Sequence, residues 1–190
     1  MNVTTARTAA SVGLAITAVA VVYALGVAVT GVELSWGFVV QALIHVGELA
    51  VVLAIAGSVG VRAGLLGRIG LGIAALGGVL LVVAELVFPF NGPIGEQIFN
   101  GAPLLSGLGM VLAGIGVLRS GVWRGWHRVM PLVVGAWMLL VVIPLIIVFD
   151  GPPATAPVLA IAGWDLCWAL AAVAVLAETA RERTPAGQWG

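Results

Sequence analysis

Four ionisable side chains interrupt otherwise apolar stretches of this 190-residue chain: His45, Glu48, Glu85 and Asp165. Protonatable groups are costly within a bilayer and face a bundle interior or a cavity, so each is a candidate for chemistry. Gln41, His45 and Glu48 stand at i, i+4 and i+7, which on a helix places them along one face. An imidazole one turn from a carboxylate can share a proton with it, as general acid–base catalysis requires. Glu48 or Asp165 is then the proton donor, and His45 the group that holds or recycles the proton. Aromatic faces attract a cation through their quadrupole, and Tyr23, Trp137, Trp164 and Trp168 fall at comparable depths in their own segments. The catalytic candidates are therefore Glu48, Asp165 and His45. The substrate-binding candidates are Gln41, Tyr23, Glu85, Trp137, Trp164 and Trp168.

The elements that must position these groups are membrane helices. The chain is 62% hydrophobic and only 8% charged, with a mean hydropathy of +1.20, whereas a soluble domain is about 25% charged. Apolar stretches near residues 9–30, 36–58, 66–88, 102–118, 129–149 and 157–178 each approach the roughly 20 residues that cross a bilayer core. Short breaks separate them: Gly31 to Ser35, Arg62 to Arg68, Pro89 to Glu96 (within the longest gap, 89–101), Arg119 to Arg128, and Asp150 to Pro153. Such breaks predict an all-α, six-helix, up-and-down bundle forming one integral membrane domain over residues 1–190.

All eight arginines fall on one side of that topology: Arg7, Arg62, Arg68, Arg119, Arg124, Arg128, Arg181 and Arg183. The opposite loops carry only Glu33, Glu96 and Asp150. The positive-inside bias then places both termini in the cytoplasm, as for a multi-pass protein of a bacterial inner membrane. The first span has a basic start at Arg7 and a small-residue triplet, Ala18-Val19-Ala20. Its apolar run outlasts a signal-peptide core of about 7–15 residues, so it is expected to remain as an anchor.

Depth follows from the helical rise. From Trp36, His45 lies about 13 Å and Glu48 about 18 Å inside; Glu85 lies about 5 Å and Asp165 about 12 Å from the outer ends of their helices. All four fall in the outer half, which predicts a polar pocket there. Glu85, the shallowest, is read as a structural group that reaches water or a loop amide. Trp36, Trp123 and Trp126 read as an interfacial aromatic belt, and the loop arginines as topology signals.

Several functions are excluded or weakened. Zero net charge removes the basic footprint of a nucleic-acid binder. Cys167 is the single cysteine, so neither an internal disulfide nor a multi-cysteine zinc site can form. His45 and His127 sit at different depths, which argues against bis-histidine haem, and one in-membrane His is too few for zinc hydrolysis. Ser106 has no neighbouring base, no lysine exists for a retinal Schiff base, and no span carries the arginines of a voltage sensor. The run Ile69-Gly70-Leu71-Gly72 mimics a dinucleotide fingerprint but lacks the preceding strand. The likeness of Ala56–Gly64 to Ala113–Gly121, in register at Arg and Gly, reads as two similar helix ends rather than a repeat.

The chain resembles uncharacterised small multi-span membrane proteins of high-GC actinobacteria, through runs such as Leu66-Gly67-Arg68-Ile69-Gly70-Leu71-Gly72 and Leu112-Ala113-Gly114-Ile115-Gly116-Val117-Leu118-Arg119. That resemblance implies no activity. In arrangement the chain is also similar to integral-membrane terpene cyclases, small helical bundles with an essential acid in an early helix and an aspartate in the last. Glu48 and Asp165 occupy the matching places, although the fungal type differs in span number and local motif. This likeness implies an intramembrane cyclase or isomerase acting on a prenyl-type lipid, with no cofactor and no metal. The alternatives are a small proton-coupled transporter and a non-catalytic membrane subunit. The expected partners are the membrane and a lipid or prenylated small molecule; a channel would further require a homo-oligomer.

Overall fold

In lipid an apolar run can satisfy its backbone only internally, and helix is the way a single segment does so. The chain forms six helices long and apolar enough to cross a membrane: α1 (Val3–Thr30), α2 (Gly37–Val59), α3 (Gly64–Val87), α4 (Gly92–Ser120), α5 (Gly125–Phe149) and α6 (Thr155–Arg181). The computed structural model describes residues 2–32, 34–149, 151 and 154–181, among which there is no strand. Glu33, Asp150, Pro152, Pro153 and Arg183, used above as loop or sidedness markers, lie outside the described residues.

Two helix starts correct the sequence boundaries. Helix α1 begins at Val3 rather than near residue 9, because the Asn2 side chain accepts the Thr5 amide at 2.8 Å and caps the first turn. Helix α4 begins at Gly92 rather than near residue 102. Asn91 accepts the Ile94 amide at 3.3 Å and Pro93 sits in the first turn, both helix-start signals. The polar stretch through Glu96 is therefore helix, not loop. Helix α5 is composite, with a 3₁₀ start at Gly125–Val129 and a π turn at Met138–Val142. Pro144 cannot donate to the carbonyl one turn back, and the wide turn re-pairs the backbone there, Ile143 N–H donating to Met138 O.

Contacts between helices run antiparallel and in chain order. Gly13 lies against Gly47 and Val51, Gly67 against Gly116, Gly77 against Ser106, and Gly135 against Gly107 and Val111. Helix α6 closes the ring by packing on α1 and α5, and it also touches α2 across the middle. Seven of the arginines lie among the described residues, all at the end of the bundle where α1 starts and α6 finishes. The outside is apolar: Val22, Val29, Leu65, Leu140, Ile147 and Val148 are exposed while Glu48 and Asp165 are buried. That inversion of the soluble pattern is what a lipid environment selects.

The tightest seam joins α3 and α4, where Gly70 meets the backbone of Ala113 and Gly109 meets that of Ala74. Small residues let the two backbones approach. This seam accounts for Gly70 of the glycine-rich Ile69–Gly72 run. Gly64 and Gly121, the matched ends of the apparent repeat, both adopt positive φ (68° and 63°). Their likeness is the chemistry of helix ends, where glycine tolerates the left-handed turn.

Trp36 and Trp126 are about half exposed at helix ends, as an interfacial belt requires. Trp123 is a correction: it is 2% exposed and belongs to the core. Its place between α4 and α5 marked it as interfacial, but the connection turns it inward.

Candidate functional site

Helices α2 and α6 meet at the centre of the ring, and each brings its polar residues to that contact. On α2, the three-residue spacing of His45 and Glu48 lets the ring reach the carboxyl, and a 2.7 Å hydrogen bond joins His45 Nδ1 to Glu48 Oε2. The other ring nitrogen, Nε2, faces Glu85 Oε1 of α3 at 3.8 Å. From α6, the Asp165 carboxyl interacts with both Glu48 and His45. The imidazole thus bridges two carboxyls, with a third beyond.

Burial is graded along this line. The side chains of Glu85 and His45 are 16% and 11% exposed, and that of Glu48 only 3%; Asp165 is equally enclosed. Three carboxyls and one imidazole thus share a poorly solvated part of the bundle, where unpaired charge is penalised. The least buried member of the cluster is Glu85.

Aromatic walls adjoin it. The Trp164 ring lies 6.4 Å from the His45 ring and 5.9 Å from Trp168, edge-on. Trp164 Nε1 and Trp168 Nε1 are buried without a hydrogen-bond partner among the described residues, while Glu48 lies within hydrogen-bond reach of Asp165.

The structure brings His45, Glu48, Glu85, Asp165, Trp164 and Trp168 together, and it changes three roles. Glu85 is not a surface or loop-capping group, because it faces His45. The Tyr23 hydroxyl lies against Gly37, about 12 Å along α2 from His45 by helical rise, so it does not line this cluster. Trp137 packs on Gly163 and donates its Nε1–H to Ala160 O at 2.9 Å, bracing α6 beside Trp164. Gln41 is half-buried one turn above His45 and makes no hydrogen bond among the described residues. No three His, Cys, Asp or Glu side chains among the described residues are placed to hold a metal ion.

Sequence reasoning missed a second buried group at the arginine-rich end. Glu178 Oε1 pairs with His127 Nδ1 at 2.6 Å and accepts from Arg124 N and Arg181 Nη1 at 3.1 Å each. The available signal was Glu178 itself, the acidic residue in the last turn of an arginine-flanked span. Treating that span end as loop-facing hid it. The chain matches no known protein family, no curated protein and no solved structure.

Proposed function

We propose that the chain is an intramembrane enzyme that performs acid–base chemistry on a lipophilic, prenyl-type substrate, as a cyclase or isomerase. The observation that carries this reading is the imidazole of His45 set between Glu48 and Glu85, with Asp165 and two tryptophans beside it. Glu48 or Asp165 gives a proton to a carbon–carbon double bond: an O–H bond breaks and a C–H bond forms. The Trp164 and Trp168 faces stabilise the resulting cation, which shifts or closes a ring. Loss of a proton from a neighbouring carbon to the carboxylate then restores the acid. Composition is unchanged, so the reaction consumes no oxidant, reductant or water. His45 Nδ1 holds the Glu48 carboxyl in position through their 2.7 Å hydrogen bond and shares the proton with it.

A specific observation favours a second reading, a proton-coupled carrier. Carriers place ionisable residues along a path open to both sides, and His127 and Glu178 supply a buried pair at the far end from His45. The two readings separate in detergent. Purified protein without a membrane gradient is expected to turn over a prenylated substrate. Activity confined to sealed vesicles bearing a pH gradient would replace the enzyme with the carrier.

The arginine-bearing end is assigned to the cytoplasm of a bacterial inner membrane, by the positive-inside bias. Reporter fusions after Arg68 and Arg124 are expected to read as cytoplasmic, and those after Asn91 and Gly151 as external. An external reading at Arg124 would contradict this orientation.

A further inference from the structure

The bundle buries polar groups at two levels, and the material between them decides where each can exchange protons. Glu48 and Ser58 are about 15 Å apart along α2, and Asp165 and Glu178 about 20 Å apart along α6. Between those levels α2 contributes Val51, Val52 and Ile55, and α6 contributes Ala171, Ala172 and Val175. All are 2% exposed or less and belong to one contiguous apolar cluster. Ala74, Met110 and Val134 carry the same cluster across α3, α4 and α5 at 0% exposure. Trp168 Nε1–H, at the top of this layer, donates and cannot accept, so it cannot hand a proton on. Ser58 and Thr179, at the bottom, donate their hydroxyls to Ile55 O and Val175 O of their own helices. A proton moves between groups within about 2.5–3.2 Å of one another, and an isolated charge in apolar surroundings is heavily penalised. A layer of this thickness stops it.

Toward the opposite end the polar groups continue. Glu48 is joined to His45 and His45 Nε2 faces Glu85, with side-chain exposure rising from 3% to 11% to 16% along that line. Glu85 stands close to the last residue of α3, Val87. Gln41, half-buried, stands one turn from His45 toward the start of α2. Asp165 of α6 completes the set on the enclosed side. Among the described residues, α1, α4 and α5 bring no charged side chain to this level.

We propose that the acid cluster has a single aqueous entrance, past Glu85 and Gln41 at the end of the bundle opposite the arginines, and that the apolar layer seals it from the arginine-bearing end. Protons used by the cluster then come from one compartment and return to it. The cluster is a one-sided site, not the first half of a path to His127 and Glu178. The consequence for chemistry rests on the acid–base reading of the cluster. The entrance and the seal do not, so the test reads accessibility rather than turnover.

Single cysteines are introduced into the full chain carrying Cys167→Ser, at Gln41→Cys, Glu85→Cys, Ala172→Cys and Arg124→Cys. Each is exposed to a charged, membrane-impermeant methanethiosulfonate in sealed membrane vesicles of both orientations; reaction requires a hydrated thiolate. Arg124→Cys, at an exposed position among the arginines, marks the sealed side. Gln41→Cys and Glu85→Cys are expected to be labelled in the vesicles that protect Arg124→Cys, and to be protected in the others. Ala172→Cys is expected to stay unlabelled in both until the protein is denatured. Labelling of Gln41→Cys and Glu85→Cys from the arginine side, or from neither side, overturns the entrance; the second result would mean that these positions face lipid. Labelling of Ala172→Cys in either orientation overturns the seal. Should Ala172→Cys not fold, the unsubstituted chain decides the seal through its native Cys167, which is buried on α6 between Asp165 and the apolar layer. Protection of Cys167 from the arginine side supports the seal, and its modification from that side overturns it.

Discussion

Replacing Glu48 with Gln is expected to lower turnover of a prenylated substrate by at least about a hundredfold, the low end of what a general acid or base contributes. Asp165→Asn is expected to do the same. Both changes keep volume and hydrogen-bonding capacity but remove the transferable proton. Glu48 is the right residue to test first because its Oε2 is fixed by His45 and its carboxyl also meets Asp165, so it joins the two helices that carry the acids. The amide oxygen introduced by Glu48→Gln can still accept from His45, so the helix contact should survive, and equal thermal unfolding of variant and parent checks this. Glu85→Gln is expected to be milder, because Glu85 touches only the far side of the imidazole and the donor carboxyl remains. Trp164→Leu should be milder than Glu48→Gln, since an apolar wall remains once the cation-stabilising face is lost. If Glu48→Gln and Asp165→Asn retain parental turnover, the acid role is wrong.

The number and up-and-down order of the helices were legible in the sequence because hydropathy is a one-dimensional signal. Depth was legible for the same reason: rise per residue set His45, Glu85 and Asp165 at levels from which they do meet. What rise cannot give is azimuth. Glu85 and Tyr23 are both near the outer ends of their helices, yet one faces His45 and the other meets Gly37. Only the packing of α3 on α2, and of α1 on α2, fixes which way each points. Trp123 fails for a related reason. A residue between two spans has no helical period to report its direction, and the chain buries it. The start of α4 was hidden by composition, since Asn91, Gly92 and Pro93 resemble a loop until their capping roles are considered together.

The scaffold itself makes the sharpest prediction about folding. Gly70→Leu and Gly109→Leu are expected to destabilise the bundle by at least the upper end of the roughly 1–3 kcal/mol that overpacking costs. A Cβ on Gly70 would collide with Ala113 N, Gly109 O and Leu112 C, and one on Gly109 with Ala74 N and Gly70 O. Every one of these atoms is backbone, so no side chain can rotate away, and α3 and α4 must separate along the seam. Separation would also disturb the site, because α3 carries Glu85 toward His45. Gly72 supplies the contrast on the same helix: it is exposed, and nothing lies within 4 Å of a Cβ built there. Gly72→Ala should be neutral or stabilising, because glycine in a helix interior costs about 1 kcal/mol relative to alanine. Unfolding midpoints in a denaturing-detergent titration compare the three variants directly. A Gly70→Leu protein with the parental midpoint would mean that α3 and α4 do not pack through these glycines, and the path that brings Glu85 to His45 would have to be redrawn.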